Sequence, residues 1–125
     1  MDTIIINGRE VQSRLADVVR KILTYAEDRH LVIDPIQWGW SIKVKRRPIF
    51  QIQVSGREVG IVLQFRWMST WNHESIIQGL RSRIQTIIET PNPQFPTISL
   101  NRLEAPDALA QFCAAIDWYL EQLKL

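Results

Sequence analysis

The chain has 125 residues, 46% of them hydrophobic and 22% charged, with a net charge of +2. That length suits one domain over residues 1–125 with no room for a second, and the composition excludes intrinsic disorder. No apolar run approaches the roughly 20 residues of a membrane-spanning helix, the start is not a basic-then-apolar leader, and the lone cysteine, Cys113, permits neither an internal disulfide nor a thiolate metal cage; a cytoplasmic protein with no cofactor, no metal and no membrane contact is therefore expected.

In chain order, Thr3 to Ile6 is a short β-branched run suited to an edge strand, and Asn7-Gly8 after it is a strong turn dipeptide. Whether this segment pairs within its own chain or with another copy is open at this level. Ser13 is placed to cap a helix in which Leu15, Val18, Val19, Ile22, Leu23 and Ala26 recur at helical spacing as far as about Asp28. Asp34-Pro35 is expected to break the chain there.

Three alternating stretches follow. Ile36, Trp38, Trp40, Ile42 and Val44 interleave with Gln37, Gly39, Ser41, Lys43 and Lys45. Phe50, Ile52 and Val54 alternate with Gln51 and Gln53, and Val59, Ile61, Leu63, Phe65 and Trp67 with Gly60, Val62, Gln64 and Arg66. A period of two sends successive side chains to opposite faces, so these read as a three-stranded antiparallel meander with one apolar face. Lys45-Arg46-Arg47-Pro48 and Ser55-Gly56-Arg57-Glu58 are its predicted connections.

Asn72 is a predicted cap for a second helix, with Glu74 near its positive end and Ile76, Ile77, Leu80, Ile84, Ile87 and Ile88 as its apolar stripe. The three prolines between Thr90 and Pro96 exclude regular structure there. Thr97 to Leu103 alternates imperfectly and could add a strand. Pro106 suits the first turn of a last helix whose Leu109, Phe112, Cys113, Ile116, Tyr119, Leu120 and Leu123 repeat at three and four. The expectation is an α+β fold: an antiparallel sheet of three to five strands with about three helices on its apolar face.

Charge is unevenly spread along these elements. Residues 36–85 hold eight basic and two acidic side chains, whereas the segments before and after are slightly acidic. On the outer face of the meander the pattern gathers Lys43, Lys45, Gln51, Gln53, Gln64 and Arg66, with Arg46 and Arg47 in the adjoining loop, a set able to contact phosphates, bases or an acidic protein patch. Against a single-strand binder, Trp38, Trp40, Phe50, Phe65 and Trp67 all fall on the core side, where bases cannot stack on them. The plain alternative is a solvated face whose lysines discourage edge pairing.

Five tryptophans exceed what the core stripes need. Trp71, at a strand-to-helix junction, and Trp118, beside the better-placed Tyr119, are candidate contacts for a protein partner or a second copy, against a plain role as core lids. His73, between Asn72 and Glu74, has no second ligand or paired carboxylate at working spacing, and His30 stands alone at the end of the first helix. No carboxylate lies two residues before Lys43 or Lys45, and no phosphate loop, serine elbow or cysteine–histidine signature occurs. The balance favours a non-enzymatic binding or assembly protein, adaptor or chaperone in kind and homodimeric, with nucleic-acid binding as runner-up and an enzyme with a site assembled from scattered residues third.

Overall fold

The computed structural model describes residues 2–55, 59–64, 70–84, 88–89 and 97–123, without the side chains of 70–74, 88, 89 and 123. The fold is α+β. Strands β1 (Thr3–Ile6) and β2 (Arg9–Gln12) form a separate hairpin, and helix α1 (Ser13–Asp28) follows directly. Strands β3 (Val32–Ile36), β4 (Gly39–Val44), β5 (Arg47–Gln53), β6 (Gly60–Leu63), β7 (Ile88–Glu89) and β8 (Thr97–Ser99) form one antiparallel sheet in the order β3-β4-β5-β6-β8-β7. Five of these strands have three residues or more, and β7 adds a two-residue edge. Helix α2 (Thr70–Arg83) lies between β6 and β7; a 3₁₀ turn (Leu100–Glu104) and helix α3 (Pro106–Leu123) follow β8.

The N-terminal run pairs within its own chain: Ile6 opposes Arg9 across Asn7-Gly8, both at positive φ (47° and 80°), the turn that matches strand twist. Helix α1 has the predicted span, but Ser13 is its first residue and not its cap. The cap position is Gln12, which makes no side-chain capping bond; the Ser13 amide instead donates to the Asp2 carbonyl at 2.8 Å, so the hairpin backbone satisfies the helix start. At the other end His30 takes a left-handed conformation (φ 58°), donating its amide to Glu27 while Leu31 donates to Ala26. This Schellman closure accounts for His30 by backbone geometry.

Asp34-Pro35 does not break the chain. Both residues lie inside β3, with Pro35 opposite Trp40; β3 is an edge strand, where a missing N–H costs no ladder bond. The long first strand expected from Ile36 is therefore two strands joined at Gln37-Trp38. The next connection is also shorter than expected. Val44 opposes Arg47 across Lys45-Arg46, so Arg47 and Pro48 belong to β5. The register then shifts between Ile42 and Lys43, leaving Ile49 as an extra residue, and this bulge lets adjacent Ile49 and Phe50 both be fully buried.

Trp40, Ile42, Phe50, Ile52, Ile61, Leu63 and Ile98 form the inner face, each almost inaccessible. Phe112 of α3 meets Phe50 edge-to-face at 5.6 Å, and Leu15, Val19 and Ile22 of α1 complete the core with Leu100 and Leu103. Asn72 lies within α2 and does not cap it. The stripe of α2 ends at buried Ile84, one residue past the helix; Ile88 belongs to β7, and Ile87 lies outside the described residues, as do Phe65, Trp67 and the proline-rich segment. Of Thr97 to Leu103 only the first three residues are strand.

Candidate functional site

Pairing fixes which residues share the outer sheet face. One row runs Asp34, Ser41, Gln51, Val62 and Thr97, and the next Ile36, Gly39, Gln53, Gly60 and Ser99. This face is neutral over most of its width. Ser41, Val62 and Thr97 are buried by their neighbours, and Gln53 donates its amide to Gln51 at 3.1 Å. A side chain at Gly39 or Gly60 would run into the carbonyls of Ile52 or Ile98, so close strand approach keeps this row small. Lys43, one row further on between Val32 and Pro48, is ion-paired with Asp34 at 2.8 Å.

The predicted basic face thus divides. Lys43 is neutralised, Gln53 is bonded locally, and half-buried Gln64 turns its amide toward the Val62 carbonyl while its own carbonyl accepts from the Tyr119 hydroxyl at 3.3 Å. Lys45, Arg46 and Arg47 are gathered at the β4–β5 turn and exposed. Arg66 lies outside the described residues.

The two tryptophans proposed as contacts fare differently from Trp38. Trp71 is in α2 but its side chain lies outside the described residues, as does that of His73. Trp118 is half-buried against Gly79 of α2, with the Arg83 guanidinium 4.1 Å above its ring, so much of it serves a helix contact. Trp38 was expected in the core. It sits instead in the β3–β4 turn and is 46% exposed, because the strand ends at Ile36 and the two-residue connection releases the alternation.

Trp38 borders a cleft of about 400 Å³ between the β1–β2 hairpin and the sheet, lined also by Thr3, Arg9, Glu10, Gln12 and Ser55. Thr3 donates to Glu10 at 2.8 Å, and Arg9 Nε reaches the Gly39 carbonyl at 3.5 Å. Ile5, 66% exposed, pairs with Glu10 and shares the hairpin face that carries Thr3 and Gln12. The cleft thus has a mostly polar lining with Trp38 and Val54 in it, and Ile5 lies on the same hairpin face as three of the lining residues. Three consecutive isoleucines at 4 to 6 were the readable signal, since alternation must leave one of them outside; Trp38 gave no such signal.

A second polar cluster joins α1 to α3. Asp117 accepts from the Tyr25 hydroxyl at 2.7 Å and from Arg29 at 2.6 and 2.9 Å, and the guanidinium lies 4.0 Å over the Tyr25 ring. The Arg29 hydrogen bond holds the Asp117 carboxyl below its ordinary value; burial and then the bond to Asp117 push the Tyr25 hydroxyl up. Burial also raises the half-buried Cys113 thiol nearby, which leaves it a weak nucleophile. Every group in the triad is bonded to another, the signature of a structural clamp. Among the described residues no set of three histidine, cysteine or acidic side chains could hold a metal, and no helix is long and apolar enough to cross a membrane.

No protein-family model matches the chain, and no characterised protein or solved structure matches it at a significant level.

Proposed function

We propose that the protein is a non-catalytic binding or assembly module of the cytoplasm, and that it recognises protein through the cleft between the β1–β2 hairpin and the β3–β4 turn, a second copy of the chain being the first candidate partner. The observation that carries this is Trp38, exposed at the cleft, together with Ile5, exposed on the hairpin face that supplies Thr3, Glu10 and Gln12 to the cleft lining. Interfaces concentrate their energy in a few aromatic or apolar anchors surrounded by polar contacts, and tryptophan is the most enriched of these. Strand addition along β3 is disfavoured, because Pro35 presents no donor at that edge. Recognition therefore runs through side chains. The runner-up, a nucleic acid spread over the outer sheet face, keeps little support where Lys43 is paired and its neighbours are uncharged.

The test is sedimentation velocity over a wide concentration range, with a photo-crosslinking residue at position 38 as the parallel arm in cells. Concentration-dependent association, or a discrete adduct at position 38, that is lost in Trp38→Ala and Ile5→Ser while thermal stability is unchanged supports the reading. A monomer throughout with no adduct at position 38 sinks it.

A further inference from the structure

The chain contains two hairpins with the same two-residue turn and different chemistry. At Asn7-Gly8 the left-handed backbone is taken by the two residue types that adopt it most readily. At Lys45-Arg46 the same geometry (φ 48° and 70°) is imposed on two long cationic side chains, for which positive φ is an outlier. Strain of this kind is retained where a side chain is needed at that point. Electrostatics compound it. Lys45, Arg46 and Arg47 are consecutive and exposed, and the sequence has no acidic residue between Asp34 and Glu58. Arg14, Lys21, Arg29 and Lys43 each hold a carboxylate within 2.9 Å, yet Lys45 and Arg46 have no ion pair among the described residues.

We infer that the Lys45-Arg46 turn is a contact site for the phosphodiester backbone of duplex DNA. The turn stands at one end of the six-stranded sheet, just past the residues of β4 and β5 that pair with β3 and β6, and lysine and arginine there neutralise phosphates without reading sequence. An acidic protein surface suits the turn less well. Val44 and Pro48 beside it are half-buried, and among the described residues the one large exposed apolar side chain on the neighbouring strand β3 is a single valine, Val32, opposite Lys43. A protein interface needs a better anchor than that. This site is separate from the Trp38 cleft, and either can fail without the other.

The experiment is fluorescence anisotropy of a labelled random-sequence 20-base-pair duplex titrated with the full chain at several salt concentrations. Two phosphate contacts give a slope of log affinity against log salt of about −1.8, or roughly a twelve-fold loss between 50 and 200 mM. Lys45→Asn with Arg46→Gly removes two cations and installs the easy turn; it should melt at a higher temperature than the parent, bind more than tenfold more weakly at 50 mM salt, and show a slope shallower by about 2, to the order expected for two lost contacts. Lys45→Gln with Arg46→Gln keeps the strained turn and should lose binding without the gain in melting temperature. Absence of duplex binding at 50 mM salt, parental affinity and slope in both variants, or displacement of the duplex by poly-glutamate at equal charge concentration each overturns the assignment.

Discussion

Consecutive residues of α3 face two different helices. Asp117 reaches α1 and binds Tyr25 and Arg29; Trp118 reaches α2 and lies on Gly79 beneath Arg83. Both contacts place an arginine guanidinium over an aromatic ring, at 4.0 and 4.1 Å. They differ in what holds the arginine. On the α1 side it grips a carboxylate with two bonds, whereas on the α2 side Arg83 Nη1 donates to the Gly79 carbonyl at 2.9 Å, and the ring fits because residue 79 has no side chain. The first contact is set by charge and is adjustable; the second is set by space and is not. Helix angles in this fold are thus fixed by close packing on one side of α3 and by directed polar bonds on the other.

The largest effect expected of this difference is at Gly79. An added Cβ falls on the Trp118 ring, and overpacking of this kind costs about 1–3 kcal/mol, against a gain of about 1 kcal/mol in helix propensity for alanine over glycine. Gly79→Ala should therefore destabilise by up to about 2 kcal/mol in urea unfolding. In a Trp118→Ala background the same substitution should stabilise by about 1 kcal/mol, since only the propensity gain remains. If Gly79→Ala stabilises both backgrounds alike, the ring does not rest on residue 79. On the polar side, Asp117→Ala leaves the buried Tyr25 hydroxyl without its acceptor and should cost about 1–2 kcal/mol, more than Tyr25→Phe, which removes donor and need together.

Gly79 illustrates why parts of this chain are hard to read. Helices α1 and α3 have unbroken stripes of apolar residues and ends that agree with the pattern, and the central strands alternate cleanly through Trp40, Ile42, Phe50, Ile52 and Ile61. A lone glycine inside a helical stripe reads as a small cost, not as a seat for an indole ring 39 positions later. The missed strands failed for other physical reasons. Arg9 to Gln12 has one core residue, Val11, and pairs through its backbone; Val32 to Ile36 contains a proline tolerated only because the strand is at an edge. The tight turn at 37–38 carries none of the residues that announce turns, and so parity runs on through Trp38, whereas the turn at 45–46 is legible as a connection but not in its length. The ion pair of Lys43 is not legible in the sequence because it depends on β3, whose Asp34-Pro35 reads as a break. Ser13 failed as a cap because the strand backbone at Asp2 already served the helix start.

Acid should separate the two contacts more finely. In the folded chain the Asp117 carboxyl titrates below its ordinary value of 3.8, so the unfolded state takes up the proton first; the contribution of the charge is present above the unfolded value and is lost as pH falls through the folded one. Because the side chain is 45% exposed, screening keeps that contribution under about 1 kcal/mol. The stability gap between the parent and Asp117→Asn should thus be fully open at pH 6 and narrow progressively as pH falls below 3.8, whereas the loss caused by Gly79→Ala should persist across that range. A gap that stays constant with pH would show that Arg29 does not stabilise the Asp117 charge.

The smallest expected effect compares the two arginines directly. Lysine keeps a positive charge over a ring but gives up the planar fork that meets both oxygens of a carboxylate. Arg29→Lys loses the paired bonds to Asp117 at 2.6 and 2.9 Å as well as stacking, and should cost about 0.5–1 kcal/mol at neutral pH and less in acid, where the carboxylate is discharged. Arg83→Lys keeps most of its attraction to the Trp118 ring and loses one bond to a backbone carbonyl, so a cost below about 0.5 kcal/mol is expected, independent of pH below neutrality. Equal losses at both positions would mean that stacking, which the contacts share, outweighs the carboxylate grip that distinguishes them. A larger loss at Arg83 than at Arg29 would reverse the assignment of charge to one side of α3 and space to the other.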